Sequence, residues 1–246
     1  MLLGTGTSIP HPDRASPGCL IRIEGVCMLF DLGSGTLKRL AEAGISYLDI
    51  DNVFLTHFHP DHTGDLVPLL FACRNPYHRR EKKLTIAGPP GTRDFYRGLR
   101  GVYGINVEAE GYELHITEVR GTYETGKFSV SSIRVPHTDS SVAYRVSSGR
   151  DSIVISGDTE ASQELVEFSK GADIVIYECS FRDDMEASGH LTPTLAARMA
   201  QEAGIGKLIL THFYPVFEGY DIEEKCRSVY DGEVVVGRDL MKLQLE

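Results

Sequence analysis

The chain lacks several things, and each absence removes a class of protein. It has no run of about 18 apolar residues, so nothing in it is long enough to cross a bilayer as a helix, and no membrane partner is expected. It has no CxxC pair. Its five cysteines (Cys19, Cys27, Cys73, Cys179, Cys226) are odd in number and scattered, which argues against a disulfide framework or a cysteine-zinc site. The opening MLLGTGTSIPHPDR has no charged region ahead of a long apolar stretch, so no secretory signal is expected and the cytoplasm is the expected location. No repeat, low-complexity tract or Ser/Pro linker interrupts the sequence, and residues 1–246 are read as one domain. Positive charge is also short: the formal net charge of −10 argues against a protein that coats nucleic acid.

That deficit is uneven. Between Arg74 and Arg100 lie Arg79, Arg80, Lys82, Lys83, Arg93 and Arg97, against only Glu81 and Asp94. Such a cluster is a solvated face or, if it borders an active site, a rim that attracts phosphate.

What is present reads as strands and helices in alternation. CLIRIEG and VCMLFDLG are apolar runs joined at Glu24-Gly25, which predicts a hairpin. GTLKRLAEAG has helical spacing and stops at Gly44. NVFLT is a short apolar strand, and GDLVPLLFACR predicts a helix with Pro68 in its first turn. The middle supplies strands LTIAG, ELHITEV, FSVSSIRVPH, VAYRVSS and SIVISGD, with a helix TRDFYRGLRGVYG among them. Then follow helix ASQELVEFSKG, strand DIVIYE, helix TPTLAARMAQEAG and strand KLILTH. Two β-rich blocks, each followed by helices, imply an α+β chain with two packed sheets and helices outside.

One stretch concentrates chemistry. LTHFHPDHTGD places His57, His59, Asp61 and His62 directly after an apolar strand, in a chain with nine histidines. Zinc takes imidazole nitrogen and carboxylate oxygen at about 2.0 to 2.2 Å, so its ligands must converge from compact backbone. Positions 57 and 59 point the same way if extended, while Asp61 and His62 follow a turn at Pro60 and can address a second ion. The remaining candidates close apolar β runs: His137 ends SSIRVPH, Asp158 ends DSIVISGD and His212 ends GKLILTH. Loops at one end of a rigid sheet are where sites are assembled.

HxHxDH after a strand, a lone His, a GDT and a THF together resemble the metallo-β-lactamase superfamily. LGTGTSIP, LFDLGSGT and SGHLTPTLAARMA are similar to its ribonuclease Z branch of phosphodiesterases. The resemblance covers essentially the whole chain. It implies a four-layer αββα sandwich with two metals at the sheet edge. It further implies that His57, His59 and His137 hold one ion, that Asp61, His62 and His212 hold the other, and that Asp158 bridges them. Zinc is the expected metal, with manganese and iron open to the same ligands. A homodimer is implied by the resemblance alone.

Two divalent ions about 3.5 to 4 Å apart can share a hydroxide and make water a nucleophile near neutral pH. Asp61 is expected to act both as ligand and as orienter or proton acceptor of that water. His190, in ASGHLTPTLAARMA, is free of metal duty and is expected to hydrogen-bond the scissile phosphate or protonate the leaving oxygen. Its alternative reading is a polar residue flanking a helix, and Glu178 in YECSF is a candidate to orient it. GTGTS near the start lacks a following GK[ST] and helix, so it reads as a packed turn rather than a phosphate loop.

The substrate is where the sequence departs from the ribonuclease Z pattern. That family grips transfer RNA with a long Gly/Pro-rich arm between the third metal histidine and the bridging aspartate. Here only TDSSVAYRVSSGRDSIVISG separates His137 from Asp158, and a hairpin with SSGR as its turn fills it. The expected substrate is a small phosphodiester or nucleotide, with an RNA 3′ end as an extension and transfer RNA disfavoured. Two other readings use the same residues: a hydrolase of lactones, esters or aryl sulfates, and a non-catalytic metal-binding partner protein. All seven ligand positions are filled, which weighs against the second. A di-iron protein that reduces oxygen would need an electron-delivery domain the chain lacks.

Overall fold

The computed structural model describes residues 1–126 and 128–244. One sheet runs in chain order through β1 (Leu2–Gly4), β2 (Gly18–Ile23), β3 (Val26–Phe30), β4 (Asn52–Phe54), β5 (Leu84–Gly88) and β6 (Leu114–Glu118). The second also keeps chain order, through β7 (Thr122–Glu124), β8 (Ser129–Arg134), β9 (Val142–Ser148), β10 (Asp151–Ile155), β11 (Ile174–Glu178), β12 (Lys207–Thr211) and β13 (Glu233–Val236). Helices α1 (Thr36–Glu42), α2 (Pro60–Thr63), α3 (Leu66–Ala72) and α4 (Thr92–Tyr103) belong to the first half of the chain. Helices α5 (Gln163–Ser169), α6 (Pro193–Glu202) and α7 (Ile222–Arg227) belong to the second.

The two-residue period of the strands sorts their apolar side chains into three cores, and these define four layers. Met28, Phe30, Phe54 and Ala87 of the first sheet meet Tyr144, Ile155, Ile176 and Ile209 of the second between the sheets. Their strand neighbours Leu29, Val53 and Ile86 turn the other way, onto Leu40, Leu66 and Leu69 of α1 and α3. Val154, Val175 and Leu208 likewise face Leu165, Ala196 and Cys226 of α5, α6 and α7. The arrangement is the α+β, four-layer αββα sandwich.

Turn chemistry sets the registers. Ile23 pairs with Val26, and the two residues between them, Glu24 and Gly25, both have positive φ (46° and 82°), as a type I′ hairpin requires. Ser148 pairs with Asp151 around Gly149, whose φ is 61°. The segment between His137 and Asp158 is therefore a hairpin closed by two residues, as the sequence predicts. Strands β10, β11 and β12 run parallel, and β8 shares their direction through antiparallel β9. Their C-terminal ends thus open on one edge of the sheet.

Some elements escape the sequence. The turn at Pro60 is a helical one: α2 starts at that proline, with His59 as its extended N-cap. Proline suits the first helical position because the N–H it lacks would be unpaired there anyway. Strands β7 and β13 and helix α7 are short, and no periodic signal marks them. All five cysteines are free and buried. Among the described residues no helix is long and apolar enough to cross a membrane.

The basic stretch 74–100 is largely committed to structure. Arg80 is 1 % exposed, and its guanidinium donates to the carbonyls of Tyr47, Leu48, Ile50 and Lys83, stapling the loop before β5 to the loop before β4. Lys82 pairs with Asp51 at 2.7 Å, Lys83 with Glu113 at 2.9 Å and Arg97 with Asp94 at 2.6 Å. Arg100 pairs with Glu108, and Arg74 with Glu110 at 2.7 Å. The solvated-face reading fits these residues better than a phosphate rim. Replacing Arg80 by Met is expected to lower stability by about 3 kcal/mol, because several buried carbonyls lose their donor. Urea denaturation measures it, and an unchanged midpoint would show that water replaces the guanidinium.

Candidate metal centre

Every histidine and aspartate singled out from the sequence arrives at the same sheet edge. His57 and His59 leave β4, and His62 sits on α2. His137 follows β8, Asp158 follows β10, and His212 follows β12 with a left-handed φ of 62°. Gly33 lets the loop after β3 close on this motif: a Cβ there would lie 2.1 Å from the carbonyl oxygen of Asp61, so no other residue fits.

Asp158 is the hub. Its Oδ2 lies 3.2 Å from His62 Nε2, 3.3 Å from His212 Nε2, 3.7 Å from His137 Nε2 and 3.9 Å from His57 Nε2. His59 turns Nδ1 toward His137 Nε2 at 3.2 Å, and Asp61 Oδ2 lies 3.5 Å from His212 Nε2. The atoms fall into three groups: His57, His59, His137 and Asp158; Asp61, His62 and His212; and Asp158, His190 and His212, which shares Asp158 with the first and His212 with the second. Within each, the ligand-type atoms lie no more than 4.8 Å from one another.

Two of these atoms are buried and unpaired, His57 Nε2 and Asp158 Oδ1. Buried polar atoms almost always find a partner, so two orphans in one cluster fit a cation received between them. The protonation pattern fits as well. Burial and the neighbouring His62 push His57 down to about 2, which keeps it a neutral lone-pair donor. Burial also opposes charge on His62, yet Asp158 and Asp31 prevail and hold its pKa well above the ordinary value. Asp158 is held well below the carboxylate range despite its burial, through His212 and His62. Burial likewise opposes charge on Asp61, but the His212 hydrogen bond and His62 bring it to about 2. A cation received among these ionised carboxylates would take the place of the imidazole proton and release it.

The rings are held from behind, which fixes the nitrogen that faces the cluster. Asp31 accepts from His62 Nδ1 at 2.7 Å and from the Thr56 hydroxyl at 2.8 Å, leaving the Thr56 oxygen to accept from His57 Nδ1 at 3.0 Å. His137 Nδ1 donates to the carbonyl of Gly189 at 2.8 Å. The Ser180 hydroxyl donates to Glu178 at 2.6 Å and accepts from His212 Nδ1 at 2.8 Å. Asp31, Thr56 and Ser180 carry no mark in the sequence that separates them from other polar residues at strand ends.

His190 stands beside the cluster, its ring 4.8 Å from that of His137 and stacked 5.7 Å from that of His212. Its Nδ1 donates to Glu178 at 2.8 Å. Glu178 is 1 % exposed and also accepts from the backbone of Thr159 and Leu191. Burial would lower the pKa of His190, but the hydrogen bond and charge of Glu178 raise it. GTGTS, by contrast, is a packed turn: Thr5 is tied to Asp239 through both its N–H and its hydroxyl.

The family model described as the beta-lactamase superfamily domain matches residues 29–213. The solved metallo-β-lactamase fold protein YhfI from Bacillus subtilis superposes with a TM-score of 0.83 at 26% identity, covering 97% of this chain and 95% of that one. The chain belongs to the metallo-β-lactamase superfamily. Within the superfamily it is ribonuclease Z-like. The ribonuclease Z of Mycobacterium avium is 31% identical over 100% of this chain and 97% of its own length. Human tRNase Z, short form, matches with a TM-score of 0.79 at 26% identity, over 98% and 96% of the two chains. This superfamily member is a metal-dependent hydrolase, and its His/Asp cluster fits divalent metal. The alignment with the mycobacterial enzyme runs over 275 positions against 246 residues here, so that relative carries stretches with no counterpart in this chain.

Proposed function

We propose that the enzyme hydrolyses a small, nucleotide-type phosphodiester with two divalent ions. His57, His59 and His137 would hold one, Asp61, His62 and His212 the other, and Asp158 both. Zinc suits this imidazole and carboxylate set, as do manganese and iron. Bound there, the ions would activate water and neutralise charge growing on a phosphoryl oxygen. The protein's own part is placement. Asp61 orients the attacking water and takes its proton. His190, aimed by buried Glu178, donates a proton to the departing alcohol oxygen.

The observation that carries the choice of a phosphodiester is His190 on Glu178, an acid stationed beside the ligand cluster without being needed as a ligand. The size of the substrate rests on the hairpin of β9 and β10, whose two-residue turn at Gly149 leaves no arm to hold a folded RNA. Charge supports the same limit. The cleft of about 550 Å3 at His190 is lined by Glu160 and Asp183 and by no lysine or arginine, which disfavours a long polyanion on that side.

A panel on zinc- and manganese-loaded protein tests the reading: bis-p-nitrophenyl phosphate, 2′,3′- and 3′,5′-cyclic nucleotides, a precursor transfer RNA, lactones and aryl sulfates. The small phosphodiesters are expected to be turned over at rates well above the precursor. Efficient 3′ processing of the precursor would overturn the size limit, and turnover of lactones or sulfates alone would overturn the phosphodiesterase itself.

A further inference from the structure

The wall beside His190 and His212 is aromatic. Tyr214 follows His212 in the chain, and its ring centroid lies 5.9 Å from that of His212 and 6.2 Å from that of His190. Phe181 stacks on it at 4.9 Å with the planes 13° apart, which fixes the tyrosine ring. Both are half-buried. Nothing in the proton-transfer chemistry uses them.

Tyr214 also lines a cleft of about 700 Å3 between the exposed loop at residues 8–13 and the segment after β12. The loop side of this cleft, at His11 and Arg14, also lines a second cleft that reaches Asp61, while Tyr214 sets the first cleft beside His212 and His190. Unlike the acidic cleft at His190, this one holds arginines. Arg14 is spent: it lies over the Phe213 ring at 4.6 Å and donates to Thr5 and Gly237. Arg238 is exposed, and among the described residues its guanidinium makes no hydrogen bond or ion pair. Asp13 and Glu218 line the cleft as well. Asp239 does too, but its carboxylate is used by Thr5, Ala15 and Arg39.

A tyrosine ring fixed by Phe181, an uncommitted arginine and a volume that takes a nucleotide line one cleft, and that ring stands beside His190 and His212. A nucleobase stacks on such a face whatever its sequence identity, and a guanidinium meets a phosphate with two parallel donors. We propose that this cleft is the nucleoside subsite of the enzyme: the base of one substituent of the scissile phosphate lies against Tyr214, and Arg238 meets the next phosphate along. The inference rests on the phosphodiesterase reading and narrows its substrate to nucleoside-bearing diesters, as opposed to alkyl or sugar ones.

Calorimetric titration of the zinc-loaded protein tests it with three probes: inorganic phosphate, adenosine 5′-monophosphate and adenosine 3′,5′-bisphosphate. Phosphate measures what the metal cluster contributes alone. The monophosphate is expected to bind about tenfold tighter than phosphate, the order of one stacked base, and the bisphosphate tighter again. Tyr214→Leu should remove the advantage of the monophosphate over phosphate. Arg238→Ala, at an exposed side chain with no structural partner, should remove the advantage of the bisphosphate over the monophosphate. A wild-type protein that binds all three probes alike overturns the subsite, and so do variants that keep the wild-type ratios. Hydrolysis of bis-p-nitrophenyl phosphate by the same preparation reads the phosphodiesterase separately: its absence with nucleotide binding intact would sink the activity and leave the subsite standing.

Discussion

Asp158→Asn is expected to cost on the order of a thousand-fold in kcat/KM, and to lower bound metal from the proposed two ions per chain to one or fewer. The loss exceeds the roughly 10- to 100-fold typical of removing a group behind a ligand, because this carboxylate stands between both groups of ligand atoms. One oxygen of Asp158 faces four imidazole nitrogens within 3.9 Å, and the other is buried with no partner. Asparagine keeps the shape and removes the charge, so His62 is left with Asp31 at 2.7 Å and Asp61 at 3.9 Å as its close anions. Elemental analysis with steady-state kinetics measures both effects. Two ions retained at full activity would show that Asp158 shapes the pocket without bridging it.

Asp158, His137 and His212 were legible because each closes an apolar strand at a polar loop, and His57, His59, Asp61 and His62 because they crowd one short stretch after NVFLT, patterns that need no tertiary knowledge. The αββα layers were legible for a related reason: the unbroken apolar runs in VCMLF and DIVIYE say that both faces of those strands are covered. The supports behind the proposed ligands were not. Asp31 reaches His62 across 31 positions, and Ser180 reaches His212 across 32, through contacts that only the folded sheets create. Arg80 misled for the opposite reason. Its neighbours in sequence are exposed cations, yet its own side chain turns inward to a set of carbonyls that no local pattern announces.

His190→Ala is expected to lower kcat by about 10²- to 10³-fold toward a dinucleoside monophosphate while the metal content stays that of the wild type. Its ring packs against His137 and His212 but is anchored on Glu178, so removing it leaves the proposed ligand set whole. The decisive comparison is the leaving group. A nucleoside alkoxide needs a proton as it departs, whereas p-nitrophenolate does not, so bis-p-nitrophenyl phosphate should lose far less. Equal losses on both substrates would assign His190 to binding and end its role as proton donor.

The cluster draws four side chains from residues 57–62 and one each from positions 137, 158 and 212, widely spaced along the chain. No hairpin or helix pair holds a complete set, and the two sheets must already be stacked before four imidazoles can face Asp158. Loop closure over such separations is slow, and contacts of this kind form late in folding. Joint capture of an ion by His57, His59, His137 and Asp158 would therefore report the finished sandwich, because a fragment carrying either sheet alone holds only half of that set.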